Sequence, residues 1–160
     1  MNVHKKRLTW LTVLLTLVLL LTACGASTFV SQPNQETGGI DVTAENAGKG
    51  SGTIGYVTIG EGQCLVISPD LSKGKFTVRI LPVVDTPSAE TTGIGGEALL
   101  VETIQGRKKT AYSLEPGEYA VAITVAEKAT GTMMILPYNV EELAQQDASL
   151  SEALGLITDH

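Results

Sequence analysis

The sequence predicts a mainly β fold: an antiparallel β-sandwich of Ig-like or jelly-roll type with a short C-terminal helical segment. Three observations carry that expectation. Tyr119 to Val125 alternates strictly, with Tyr119, Val121, Ile123 and Val125 on one side and Ala120, Ala122 and Thr124 on the other. Short apolar runs recur along the chain, separated by Gly, Pro, Asp and Ser turn residues. After Pro137 the apolar spacing changes from two residues to that of a helix.

The chain divides into residues 1–23, 24–52, 53–138 and 139–160. The first part is built as an export signal. His4, Lys5, Lys6 and Arg7 form a positive start, and Leu8 to Leu21 is an apolar run of 14 residues. That run is shorter than the roughly 20 residues a membrane span requires. It closes on Leu21-Thr22-Ala23-Cys24. This arrangement resembles the lipobox of bacterial lipoproteins. The resemblance implies cleavage before Cys24 and a diacylglycerol on its sulfur. It further implies an extracytoplasmic protein held to the cell membrane through that lipid. Two acyl chains, at about 0.8 kcal/mol per buried methylene, give an anchor of slow release. Residues 24–52, rich in Gly, Ser, Thr and Asn, read as the lipidated cysteine and a flexible linker with a reach near 30 Å.

Residues 53–138 read as the sandwich. Ile54 to Ile59 forms a strand, and Gly60-Glu61-Gly62 turns it into Cys64-Leu65-Val66-Ile67. Ser72-Lys73-Gly74 leads into Lys75 to Ile80, where Phe76, Val78 and Ile80 share a face. Residues 82–97 hold Pro, Gly and Thr and read as a long loop, followed by a strand from Leu99 to Ile104. Gln105-Gly106-Arg107 turns into a strand from Lys109 to Leu114. Pro116-Gly117-Glu118-Tyr119 has the spacing of a tyrosine corner, in which the phenol hydroxyl bonds backbone a few residues upstream. Thr132 to Leu136 is the last strand. Beyond it, Asn139 with Glu142 three residues later marks a helix start, and Leu150, Ala153, Leu154 and Ile157 continue at helical spacing.

Charge and composition narrow the function. Without residues 1–23 the chain keeps 8 basic against 17 acidic residues, a net charge of −9. Such a balance disfavours both nucleic acid and electrostatic docking to an anionic bilayer. With Cys24 committed to lipid, Cys64 has no partner in the chain and reads as a small buried hydrophobe. The retained chain has one His, His160, so a nucleophile paired with a histidine base is not expected. No cofactor and no metal are expected, since His/Cys clusters and closely spaced carboxylates are lacking.

The remaining candidates concern binding. Tyr56, Tyr112 and Tyr138 are the aromatic side chains free of core parity, and Arg107-Lys108-Lys109 is a basic cluster suited to an acidic envelope polymer. The expected function is a non-catalytic binding or accessory module for an envelope protein or polymer. Two alternatives remain. One is a small glycan-active enzyme using two of its carboxylates. The other is a structural spacer, which predicts no cleft and no exposed apolar patch.

Overall fold

Among the described residues, alternation lays out ten strands, and one helix follows them. The computed structural model describes residues 27–84, 93, 94, 96–147, 149, 150 and 154. The strands are β1 (Thr28–Asn34), β2 (Gly39–Ala47), β3 (Gly50–Ile59), β4 (Gln63–Lys73), β5 (Phe76–Val84), β6 (Gly93–Ile94), β7 (Leu100–Ile104), β8 (Thr110–Tyr112), β9 (Gly117–Val125) and β10 (Ala129–Asn139). They pair antiparallel in two sheets. The first sheet runs β1-β2-β10-β4-β8; the second runs β3-β9-β5, with β6 and β7 on the far side of β5. The mainly β sandwich expected from the sequence is therefore the observed fold.

The core fills the space between the sheets. Ile40, Val42, Leu65, Ile67, Met133 and Ile135 of the first sheet meet Val57, Phe76, Val78, Ile80, Val121 and Ile123 of the second, all essentially excluded from water. Burying such side chains supplies most of the folding free energy, at about 1.5–3 kcal/mol each. A smaller cluster forms on the outer face of the first sheet. Helix α1 (Val140–Gln146) lays Leu143 over Cys64, Val66 and Ala111 there, and Leu150 joins them. Asn139 caps this helix as the sequence suggested: its Oδ1 accepts from the amides of Glu141 (2.8 Å) and Glu142 (3.3 Å).

Two expectations are corrected. Residues 24–52 are not a linker throughout, because 28–34, 39–47 and 50–52 are strand. Ile40, Val42 and Ala44 alternate with Asp41, Thr43 and Glu45, and only the first three face the core. Those few inward side chains suffice because β2 is paired on both sides, to β1 and to β10. β1 is an edge strand and mostly exposed, so it shows little apolar pattern. The 82–97 loop also begins late. Pro82, Val83 and Val84 continue β5, and Val83 and Val84 pair with Ile94 and Gly93. Pro82 is accommodated because β7 stops pairing with β5 at Ile80, which frees that edge. The remainder of that loop, residues 1–26 with Cys24, and most of 151–160 lie outside the described residues.

The tyrosine corner is present: the Tyr119 hydroxyl donates to the Glu115 carbonyl at 2.6 Å. It fixes the turn Glu115-Pro116-Gly117 where β9 enters the second sheet between β3 and β5. Tyr119→Phe keeps the buried ring and removes this bond. It should cost about 1 kcal/mol of unfolding free energy, read as a lower urea midpoint at unchanged slope.

Candidate functional site: a cleft between two sheet edges

The first half of β3 places Gly50 opposite Val125 and Gly52 opposite Ile123, so both glycines occupy inward positions. A side chain is therefore missing twice in succession on the core side of this edge strand. A Cβ built on either glycine meets nothing within 4 Å. The space left is an open cleft of about 470 Å³ between the edges formed by β1 and β3. That volume lies in the range of small-ligand sites.

Phe29, Ile54, Ile123 and Val125 supply the apolar surface of the cleft, Ser27 and Ser31 border it on the β1 side, and β3 lines it with Gly50 to Thr53. Lys49 is the charged residue among its lining. Phe29 is set from below: its ring packs edge-on against Phe76, with centroids 6.1 Å apart. β3 reaches this position through a bulge at Ile54, where the register against β9 shifts between Thr53 and Gly55. Gly55 has no side chain because Ile40 fills that place; a Cβ there would come within 2.8 Å of the Ile40 side chain. The cleft can seat an apolar or extended group and bind it through hydroxyls and strand-edge backbone. Its lining offers hydrogen bonds and shape rather than an acid–base pair.

The tyrosines expected to form a platform do not converge. Tyr56 is 52% exposed on the outer face of the second sheet, beside Ala120. Tyr112 points inward at the β8 edge and packs on the main core, opposite Leu65. Tyr138 lies on the outer face of the first sheet, where its hydroxyl donates to Gln146 Oε1 at 2.8 Å. Strand parity separates them onto three surfaces. Tyr56 does share its face with Leu99 and Val101, which are 60% and 58% exposed.

The basic cluster is split as well. Arg107 pairs with Asp70 at the surface, their side chains 77% and 61% exposed, a contact of little energetic weight. The Lys109 ammonium sits 5.8 Å from the centre of the Tyr138 ring, and Lys108 is exposed. Two carboxylates, Asp41 and Asp70, line a hollow on the outer face of the first sheet, two strands apart and two residues out of register. Both are already engaged, Asp41 by the Asn34 amide at 3.0 Å and Asp70 by Arg107. Among the described residues no group of three or more His, Cys, Asp or Glu gathers at one point.

Cys64 is buried beneath Leu143, and its thiol donates to the Tyr138 carbonyl at 3.6 Å. Burial pushes the thiol above its ordinary 9.0, opposed by its backbone hydrogen bond and by Lys109. Burial also raises the Tyr112 and Tyr119 phenols above 10.0.

The cleft residues were hidden in Gly48-Lys49-Gly50-Ser51-Gly52, a stretch that reads as linker by composition. The available signal was the placement of glycine at every second position just ahead of the Ile54 to Ile59 strand. A strand that continues upstream without inward side chains leaves this pattern.

No family model matches the chain, and no curated protein matches it. Among solved structures it is similar to the cumin domain of CENP-C from Drosophila melanogaster, at 12% identity over 72% of this chain and 78% of that one, with a TM-score of 0.31. It is likewise similar to CENP-C of that organism bound to CAL1, at 13% identity over 71% and 82% of the two chains and a TM-score of 0.31. These likenesses transfer neither ligand nor partner.

Gly52→Val should narrow the cleft, since its Cβ has open space and its backbone lies outside the left-handed region. Thermal unfolding is expected to be unchanged or raised, by up to about 1 kcal/mol from the lost glycine entropy. The folded chain holds the Cys64 proton more tightly than the unfolded chain. Its contribution to stability is therefore full below about pH 9 and declines as pH climbs through the raised value. Cys64→Ala should remove that part of the alkaline decline in urea titrations, and native Cys64 should resist alkylation until the chain unfolds.

Proposed function

We propose that this chain is a lipid-anchored, non-catalytic binding module on the extracytoplasmic face of a bacterial cell membrane. The observation that carries this reading is the sequence Leu21-Thr22-Ala23-Cys24 at the end of a short apolar run with a basic start. Among the described residues, no helix is long and apolar enough to cross a membrane. A diacylglycerol on Cys24 supplies the attachment.

The domain's contribution is the cleft between β1 and β3. Its two edge strands and apolar lining suit an extended segment of an envelope protein or polymer, bound by main-chain hydrogen bonds and side chains that enter the glycine-vacated space. A spacer has no use for such a cleft, nor for the exposed Tyr56, Leu99 and Val101.

Metabolic labelling with a fatty-acid analogue tests the anchor. Label should enter the protein and be lost in Cys24→Ala; label surviving that substitution would refute the anchor. Crosslinking in intact cells tests the cleft. Gly52→Val should lose the partner that the parent chain captures, while equal capture by both would remove the cleft from the account.

A further inference from the structure

Lys49, Lys73, Lys75 and Lys128 are spread over the sequence but stand in turns at one end of the fold. In the second sheet, Gly50, Val125, Phe76 and Ile104 stand in one row, which places the β2–β3, β9–β10, β4–β5 and β7–β8 turns at the same end. The first sheet agrees, with Ala129 opposite Ala47 and Thr130 opposite Lys73. The first three of these turns carry Lys49, Lys128, and Lys73 and Lys75 around Gly74. Gly74 has φ +75°, and a side chain there would collide with the Lys128 backbone, so the β4–β5 and β9–β10 turns are held in contact. Lys73, Gly74, Glu127 and Lys128 line a depression of about 310 Å³ between them. The opposite end carries Glu36, Glu61 and Glu115 in its turns, with Glu141 and Glu142 at the start of α1, and no basic residue among those described.

The chain also enters the fold at the lysine end. Thr28 begins β1 opposite Glu45, and the Ser27 hydroxyl donates to the Asn46 carbonyl at 3.0 Å. Cys24 lies four residues before Thr28, a span of at most about 14 Å. A lipid on Cys24 therefore holds this end, and no other, within reach of the headgroups.

We propose that the turn surface formed by Lys49, Lys73, Lys75 and Lys128 docks on the anionic lipid headgroups of the membrane that carries the anchor, with the Lys73–Lys128 depression turned to a headgroup phosphate. The proposal rests on the anchor reading. It also revises the inference drawn from net charge. The nine-residue strands hold the acidic end about 30 Å away, whereas charges are screened beyond about 8 Å at physiological salt. The membrane thus meets the four lysines together with Lys108 and the Arg107–Asp70 pair of the β7–β8 turn, offset by Glu45 and Glu127, and not the −9 of the whole domain. Each lysine at such a surface favours the docked state about fivefold.

The full chain in vesicles of phosphatidylcholine, with or without phosphatidylglycerol, provides the test. Amine labelling is read lysine by lysine by mass spectrometry. Lys49, Lys73, Lys75 and Lys128 should label severalfold more slowly when phosphatidylglycerol is present, and recover in high salt, while Lys109, whose ammonium lies over Tyr138 on the outer face of the first sheet, does not change. Equal rates in both vesicle types would overturn the proposal. In the surface double variant K73E/K128E the slowing at Lys49 and Lys75 should vanish; its persistence would also overturn it. The mass of the N-terminal peptide from the same samples separates the two readings. Lipid on Cys24 without lysine protection removes the docking alone, and protection without lipid removes the anchor alone.

Discussion

The pairing of β2 with β10 is the constraint on which the rest of the molecule depends. It runs from Ala47–Ala129 to Ile40–Ile135 and inserts β2 between β1 and the centre of the first sheet. Through it, Ile40, Val42 and Ala44 join the core, and β1 gains a partner. Without it the chain ahead of β3 has nothing to pair with, Phe29 does not reach Phe76, and the cleft has only one wall. The same pairing shortens the link to Cys24 from some 28 residues to the few before Thr28. A domain on a long tether samples the space above a membrane; a domain on a short one is oriented by it.

Local features of the fold were legible in the sequence. The parity of β9, the tyrosine corner at Glu115 to Tyr119 and the Asn139 cap each depend on residues within a few positions of one another. β1 and β2 were not legible, because the first is an exposed edge and the second shows three modest inward residues between polar ones. The strand state of β2 is set by β10, 82 to 95 residues away, and β1 follows by pairing with β2, which is a tertiary override of composition. The cleft was masked for a related reason, its spacing of glycines being the one trace of it. Gly50 and Gly52 signal flexibility to any local reading, and become a binding surface only once β9 is known to lie opposite them.

Net charge misleads in the same way. The acidic total suggests repulsion from an anionic bilayer, yet the fold sorts the charges by end. Lys49, Lys73, Lys75 and Lys128 come together because three turns at distant sequence positions share one end of two antiparallel sheets. The candidates that were adjacent in sequence fared in the opposite way. Arg107 turned to Asp70 and Lys109 to Tyr138. Adjacency in a turn does not make a shared surface, whereas topology does.

Amide hydrogen exchange across residues 39–47 tests the central pairing most directly. If β2 is held between β1 and β10, its amides should be protected to a degree comparable with those of β9 and open only with global or near-global unfolding. Exchange of this segment at the rate of an unstructured peptide, while β9 stays protected, would return it to the status of a linker and contradict the account.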